Sequence, residues 1–135
     1  MKTKSVLTQT EVTQILAAAR TEAQKNGWAV SIAVTDDGGH LLGFERLDGC
    51  APIGGYIAIE KARTSALGRR ESKGYEDMVN GGRTAFVTAP LLTSLEGGVS
   101  IIIDGQTIGA VGVSGVKADQ DAQVAKAGVA VVSAQ

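Results

Sequence analysis

The stretch WAVSIAVTDDGGHLLGFERL, residues 28–47, holds two apolar segments around a four-residue turn. Trp28, Val30, Ile32 and Val34 alternate with Ala29, Ser31, Ala33 and Thr35, which is the two-residue period of a β-strand. The second set is small rather than charged, so both faces of this strand are expected to be covered. Asp36-Asp37-Gly38-Gly39 collects residues that tolerate turn geometry. HLLGFERL, residues 40–47, returns as the partner strand, with Leu42, Phe44 and Arg46 on one face and Leu41, Gly43, Glu45 and Leu47 on the other. A hairpin whose first strand is buried on both sides needs a layer above and a layer below.

The flanking sequence offers those layers. Thr8-Gln9-Thr10-Glu11 has the form of a capping box, and Val12, Ile15, Leu16, Ala19 and Ala23 follow at helical spacing to an Asn26-Gly27 stop. Residues 53–70 read as a long helix with Ile57, Ala58, Ala62, Ala66 and Leu67 inward, its alanines implying close approach to a neighbour. GRRESKGYEDM reads as a turn and a short helix, and residues 80–98 as a loop-rich excursion with a helical turn. VSIIID (99–104) and QTIGAVGVSG (106–115) form a second hairpin about Asp104-Gly105. Gly109, Gly112 and Gly115 leave a flat strand for close packing, against another backbone or at a subunit contact. Residues 116–132 close the chain as an Ala-rich helix, with Asp119 or Asp121 favourably placed near its start. The expectation is an α/β (α+β) fold: one domain over residues 1–135, a mostly antiparallel sheet of two hairpins flanked by helices.

Composition narrows the function. With 44% apolar and 20% charged residues and a net charge of −1, the chain reads as folded, with no footprint for nucleic acid. MKTKSVLTQTEV has lysines but no apolar run behind them, and no stretch reaches the roughly 18 apolar residues of a membrane span. One cysteine, Cys50, excludes an internal disulfide and a multi-thiolate zinc site, and suits a reducing, cytoplasmic compartment. No P-loop, G-x-S-x-G elbow, dinucleotide fingerprint or H-E-x-x-H occurs.

The candidate site lies in FERLDGCAPIGGYIAIEKARTSA, residues 44–66. With a helix beginning near Ile53, the amides of Gly54, Gly55 and Tyr56 would fall in its first turn and attract an anion. Arg46 could add a bidentate hydrogen bond, and Asp48 could cap the helix or orient Arg46. The same residues also suit a plain Asp-Gly turn, a helix started by Pro52, and a glycine pair that only permits packing. Glu60 and Arg63 are spaced to pair on the helix surface. Lys61 either faces a pocket between helix and sheet or is solvated. Glu96, ahead of Gly97-Gly98, and Asp48 join Lys61 as candidates for moving protons, although a lone glutamate is ordinarily solvated.

The segments D-D-G-G-H-L-L-G-F-E-R-L-D-G, A-P-I-G-G-Y-I-A-I-E-K-A-R-T-S-A, E-G-G-V-S-I and D-G-Q-T-I-G-A-V-G-V-S-G-V-K-A-D-Q-D-A-Q-V-A-K-A-G, in this order and spacing, resemble the GlcG/HbpS-like family. That family includes the C-terminal domain of PduO-type proteins and carries haem-binding or haem-degrading labels. The resemblance covers residues 8–132. It implies a profilin-like fold, homo-oligomers from dimers to octamers, and a small-molecule or tetrapyrrole ligand, with haem as a cofactor; it also raises Lys61 as a site residue. The chain departs from a histidine-ligating pattern, because His40 is its only histidine and lies at the hairpin turn. Tyr56, Tyr75, Met78 and Cys50 are other ligand types in haem proteins. Three functions follow as expectations: a cytoplasmic protein that binds haem or a related small anion and assists haem degradation, a small isomerase, lyase or hydratase acting on an organic acid, or an accessory oligomeric subunit.

Overall fold

The computed structural model describes residues 1–133. Helix α1, Gln9–Lys25, is followed by strands β1, Ser31–Asp36, and β2, Leu41–Arg46. Helix α2 spans Pro52–Gly68 and α3 spans Lys73–Asn80, before a short 3-10 helix at Thr84–Thr88. Strands β3, Gly98–Ile103, and β4, Gln106–Ser114, precede helix α4, Ala118–Ser133. The four strands form one sheet in the order β2-β1-β4-β3, antiparallel throughout. Both hairpins are present, and the first strand of the first is central, flanked by β2 and β4.

The two faces of the sheet differ in side-chain size. On one, Ile32, Val34, Val99, Ile101, Val111 and Val113 pack with Ile15 and Ala19 of α1 and Val124 and Val129 of α4. On the other, Ala33 packs with Ala58 and Ala62 of α2. Ser31, Ala33 and Thr35 stand opposite Ser114, Gly112 and Ala110, so the surface beneath α2 is almost free of large side chains. Gly112 shows the consequence: a Cβ there would collide with the Ala58 carbonyl and the Ala62 amide. The flat glycine strand thus receives a helix of its own chain.

Several local expectations change. Trp28 precedes β1 and is partly buried against the main core. Thr8 is the N-cap of α1, yet its hydroxyl bonds the Glu11 carboxylate instead of an orphan amide, so the reciprocal capping box does not close. Leu67 is exposed and Ile57 half-buried, because the inward stripe of α2 runs through Gly54, Ala58, Lys61, Ala62 and Ser65. Gly27 takes φ +71, and the Trp28 amide bonds back to the Ala23 carbonyl at 2.9 Å, as a left-handed helix stop requires. Asp104 and Gly105 both have positive φ, the signature of a two-residue hairpin turn.

Candidate functional site

Helix α2 begins at Pro52, which has no amide hydrogen, and its N-cap, Ala51, contributes no side-chain bond. The Gly54 amide already donates to the Ala51 carbonyl at 2.9 Å. Gly54 is buried, and a Cβ on it would lie 2.8 Å from the Cys50 sulfur and 3.3 Å from the Ser114 carbonyl. With the helix starting one residue early, the amides of Gly55 and Tyr56 enter its own ladder. The expected receptor of three free amides is therefore not formed. Gly54 serves the packing of α2 on β4.

Arg46 keeps a different character. It ends β2 opposite Ser31 and is exposed. Arg20 pairs with Glu45, Arg63 with Glu60 and Arg69 with Asp37, while Arg70 and Arg83 lie over the rings of Tyr75 and Phe86. Among the described residues, Arg46 alone of the arginines has no ion pair, hydrogen bond or aromatic partner. It stands between two surface cavities. One, of about 440 Å³, lies past the end of α1, with Gln24, Trp28 and Asp48 among its walls. The other, of about 230 Å³, is an apolar groove between β2 and α2, bounded by Phe44, Arg46, Pro52, Gly55, Tyr56 and Ile59. Gly55 lets the Phe44 ring close onto α2, since a Cβ on it would lie 3.2 Å from that ring.

The other expected residues lie elsewhere. Asp48 is exposed and caps nothing in α2. Lys61 is five residues beyond Tyr56, about 140° around the helix, and points into the protein. It is 3% exposed, neither solvated nor lining a cavity. Its ammonium donates to the Val113 carbonyl at 2.9 Å and to Asp121 at 3.0 Å. Asp121, also buried, accepts the Val116 amide at 3.1 Å and so fastens the turn between β4 and α4. Burial pushes the Asp121 carboxyl above its ordinary value, and Lys61 partly offsets that. Gly97 makes room for this pair, because a Cβ there would lie 2.8 Å from the lysine nitrogen. The Gly97 carbonyl accepts the Val113 amide at 3.0 Å and the Gly98 amide donates to the Ser72 hydroxyl at 2.8 Å, so neither opens toward a ligand. Glu96 is half-buried, its amide donating to Glu76 at 3.4 Å. His40 sits at the hairpin turn with an 81% exposed side chain, its ring 3.2 Å from Asp36.

The structure thus brings Arg46, Gly55 and Tyr56 to one groove and keeps Lys61, Glu96 and His40 out of it. Sequence reasoning missed the apolar walls, Phe44, Pro52 and Ile59, and the Lys61–Asp121 pair. Phe44 beside Arg46 on a returning strand was the available sign of the walls. Asp121 lies 60 residues from Lys61, and nothing local announces the pairing.

Residues 7–130 match the family described as haem degrading protein HbpS-like. Protein GlcG of Escherichia coli strain K12 is 71% identical over 114 residues, covering 84% of this chain and 85% of that protein. The structure of a doubly substituted HbpS from Streptomyces reticuli superposes with a TM-score of 0.88 at 30% identity, over 98% of this chain and 90% of that one. A PduOC:heme complex has the same fold, with a TM-score of 0.85 at 23% identity, over 95% of this chain and 96% of that one.

Proposed function

Since this chain belongs to the haem-degrading HbpS-like family, we propose that it binds a tetrapyrrole of the haem class, or a related small carboxylate-bearing ligand, in the groove between β2 and α2. The observation that carries this reading is the unpaired guanidinium of Arg46 at the rim of an apolar groove. A carboxylate at the edge of a flat hydrophobic molecule asks for that combination: a bidentate cation for the acid and an apolar wall for the ring. The apolar walls Phe44, Pro52 and Ile59 suit the hydrocarbon of a planar body. A groove of about 230 Å³ takes one edge of a tetrapyrrole and leaves the rest at the surface. Bound haem would supply redox and ligand-exchange chemistry; the chain supplies orientation through Arg46 and exclusion of water along the apolar wall.

Holding the tetrapyrrole, and thereby assisting its degradation, fits better than turning over an organic acid. The enzymatic alternative asks Lys61, Glu96 or Asp48 to move protons beside a carboxylate held by the first amides of α2; that receptor is not formed, and Lys61 is committed to Asp121 beneath the surface. Exposed Val87, Leu91 and Ile102 support a homo-oligomer. A single thiol, buried in the fold, suits the cytoplasm. Among the described residues, no helix is long and apolar enough to cross a membrane.

Titration of the apo-protein with hemin tests the reading. A saturable Soret shift is expected, weakened about tenfold or more in Arg46→Ala by loss of a charge-assisted pair. His40→Ala should bind as wild type does. Absence of saturation in the wild-type protein would overturn the proposal.

A further inference from the structure

We propose that Tyr56 supplies the axial oxygen to a ferric tetrapyrrole held in this groove, an inference that rests on the haem-class reading above. Tyr56 lines the groove together with Arg46, on the first turns of a 17-residue helix. The residue is 73% exposed, and its phenol has no hydrogen-bond partner among the described residues. Gly55, immediately before it, is buried beneath the Phe44 ring, which lies 3.2 Å from where a Cβ would stand, so that ring closes onto α2 as part of the groove's apolar wall.

The other candidate iron ligands, His40, Cys50, Tyr75 and Met78, are placed against the role. His40 and Arg46 lie six residues apart along an extended strand, about 20 Å. The His40 ring is besides engaged with Asp36. The Cys50 thiol is buried, 3.3 Å from the Ser31 hydroxyl. Tyr75 is buried, its ring 5.9 Å from that of Phe86. The Met78 sulfur is 3.8 Å from the Arg70 guanidinium, on a helix that contributes nothing to the groove. A phenol oxygen and a guanidinium therefore converge on one apolar cleft, the two polar groups that a ferric tetrapyrrole bearing carboxylates requires.

Ligation by tyrosine has a definite balance. The phenol O–H gives its proton to solvent, which the exposure of the side chain permits. An oxygen lone pair then forms the bond to iron, displacing a water or chloride, and the iron stays ferric throughout. A hard, anionic oxygen donor favours ferric over ferrous iron, so the site would discriminate by oxidation state.

Two probes separate ligation from mere contact: hemin, and metal-free protoporphyrin IX, which has the same carboxylates and no iron. Tyr56→Phe is expected to weaken hemin by about tenfold or more while leaving protoporphyrin IX within about twofold. It should also remove the phenolate-to-iron charge-transfer absorption and change the high-spin ferric electron paramagnetic resonance signal. Arg46→Ala should weaken both probes. Unchanged urea midpoints show that neither exposed substitution has disturbed the fold. A hemin complex of Tyr56→Phe with the wild-type spectrum would overturn the assignment and leave the haem-class reading standing. So would an equal loss of both probes in that variant, which would make Tyr56 a contact surface only. If the wild-type protein bound neither probe, the haem-class reading would fall first and this inference with it.

Discussion

Lys61 and Asp121 take two charges almost completely out of water, with 3.0 Å between them. Isolated buried charges are strongly unfavourable, and what makes this pair tolerable is that its neighbours are also satisfied: the Val113 carbonyl on one side, the Val116 amide on the other. The pair joins α2, β4 and the start of α4 at a single point. Replacing Lys61 by methionine keeps the stem and leaves the carboxylate without its partner, which is expected to destabilise the fold by about 3–5 kcal/mol in urea unfolding. The pH dependence has a determined sign. Burial already raises the Asp121 carboxyl above 3.8, and loss of Lys61 removes an opposing influence. A carboxyl whose value is raised on folding contributes most below its unfolded value, and that contribution is lost as pH rises through the folded one. The deficit of Lys61→Met should therefore shrink on acidification from neutrality toward pH about 4. A deficit that stays constant or grows over that window would mean that the carboxylate finds another cation, or water, once the lysine is gone.

At the scale of elements, α2 is held by what its neighbours lack. Large side chains would keep a helix at ordinary distance from a sheet, whereas Ala58 and Ala62 rest directly on Ala33 and Gly112. Gly112→Ala is the smallest change that tests this. Its Cβ would meet backbone atoms that cannot rotate away, so α2 has to lift. Overpacking of this kind costs about 1–3 kcal/mol, and amide exchange should accelerate along α2 before it does along α1. Equal acceleration in both helices would indicate global loosening instead. The same element shows what can be read from sequence. Alternation in residues 28–47 and the Asp104-Gly105 turn revealed both hairpins, because strand period and turn chemistry are local properties. Helix α2 was also legible, and its alanines correctly implied close approach. Which of its faces looks inward was not: apolar residues and the charges Glu60, Lys61 and Arg63 are spread around the helix without a clear stripe, so Leu67 and Ile57 compete on paper with Ala58 and Ala62. The sheet resolves that competition by admitting only small residues. A shift of one residue at the start, to Pro52, likewise turned an expected amide receptor into ordinary helix backbone while leaving Arg46 available.

For the whole molecule, the fold divides into a sheet with its three packed helices and an excursion between α2 and β3. Helix α3 and the 3-10 helix pack mainly on one another, through the rings of Tyr75 and Phe86, with Arg70 and Arg83 over those rings. Ties hold the excursion to the rest at several points: Ser72 exchanges two hydrogen bonds with Gly98, the Thr93 amide donates to the Thr64 hydroxyl at 2.7 Å, the Ser65 hydroxyl donates to the Arg70 carbonyl at 2.6 Å, and Lys126 pairs with Glu71 and Arg69 with Asp37. The groove at Arg46 takes none of its walls from this segment. The excursion should therefore open as a unit of its own, at lower free energy than the sheet and without disturbing ligand binding. Phe86→Ala removes the ring that Tyr75 and Arg83 share and is expected to speed limited proteolysis between residues 81 and 95. Hemin affinity and the exchange of β1 and β4 amides should stay at wild-type values. Protection of the sheet lost in step with the excursion would show a single cooperative unit. Hemin binding lost while the sheet stays protected would show that the ligand reaches beyond the groove onto this segment.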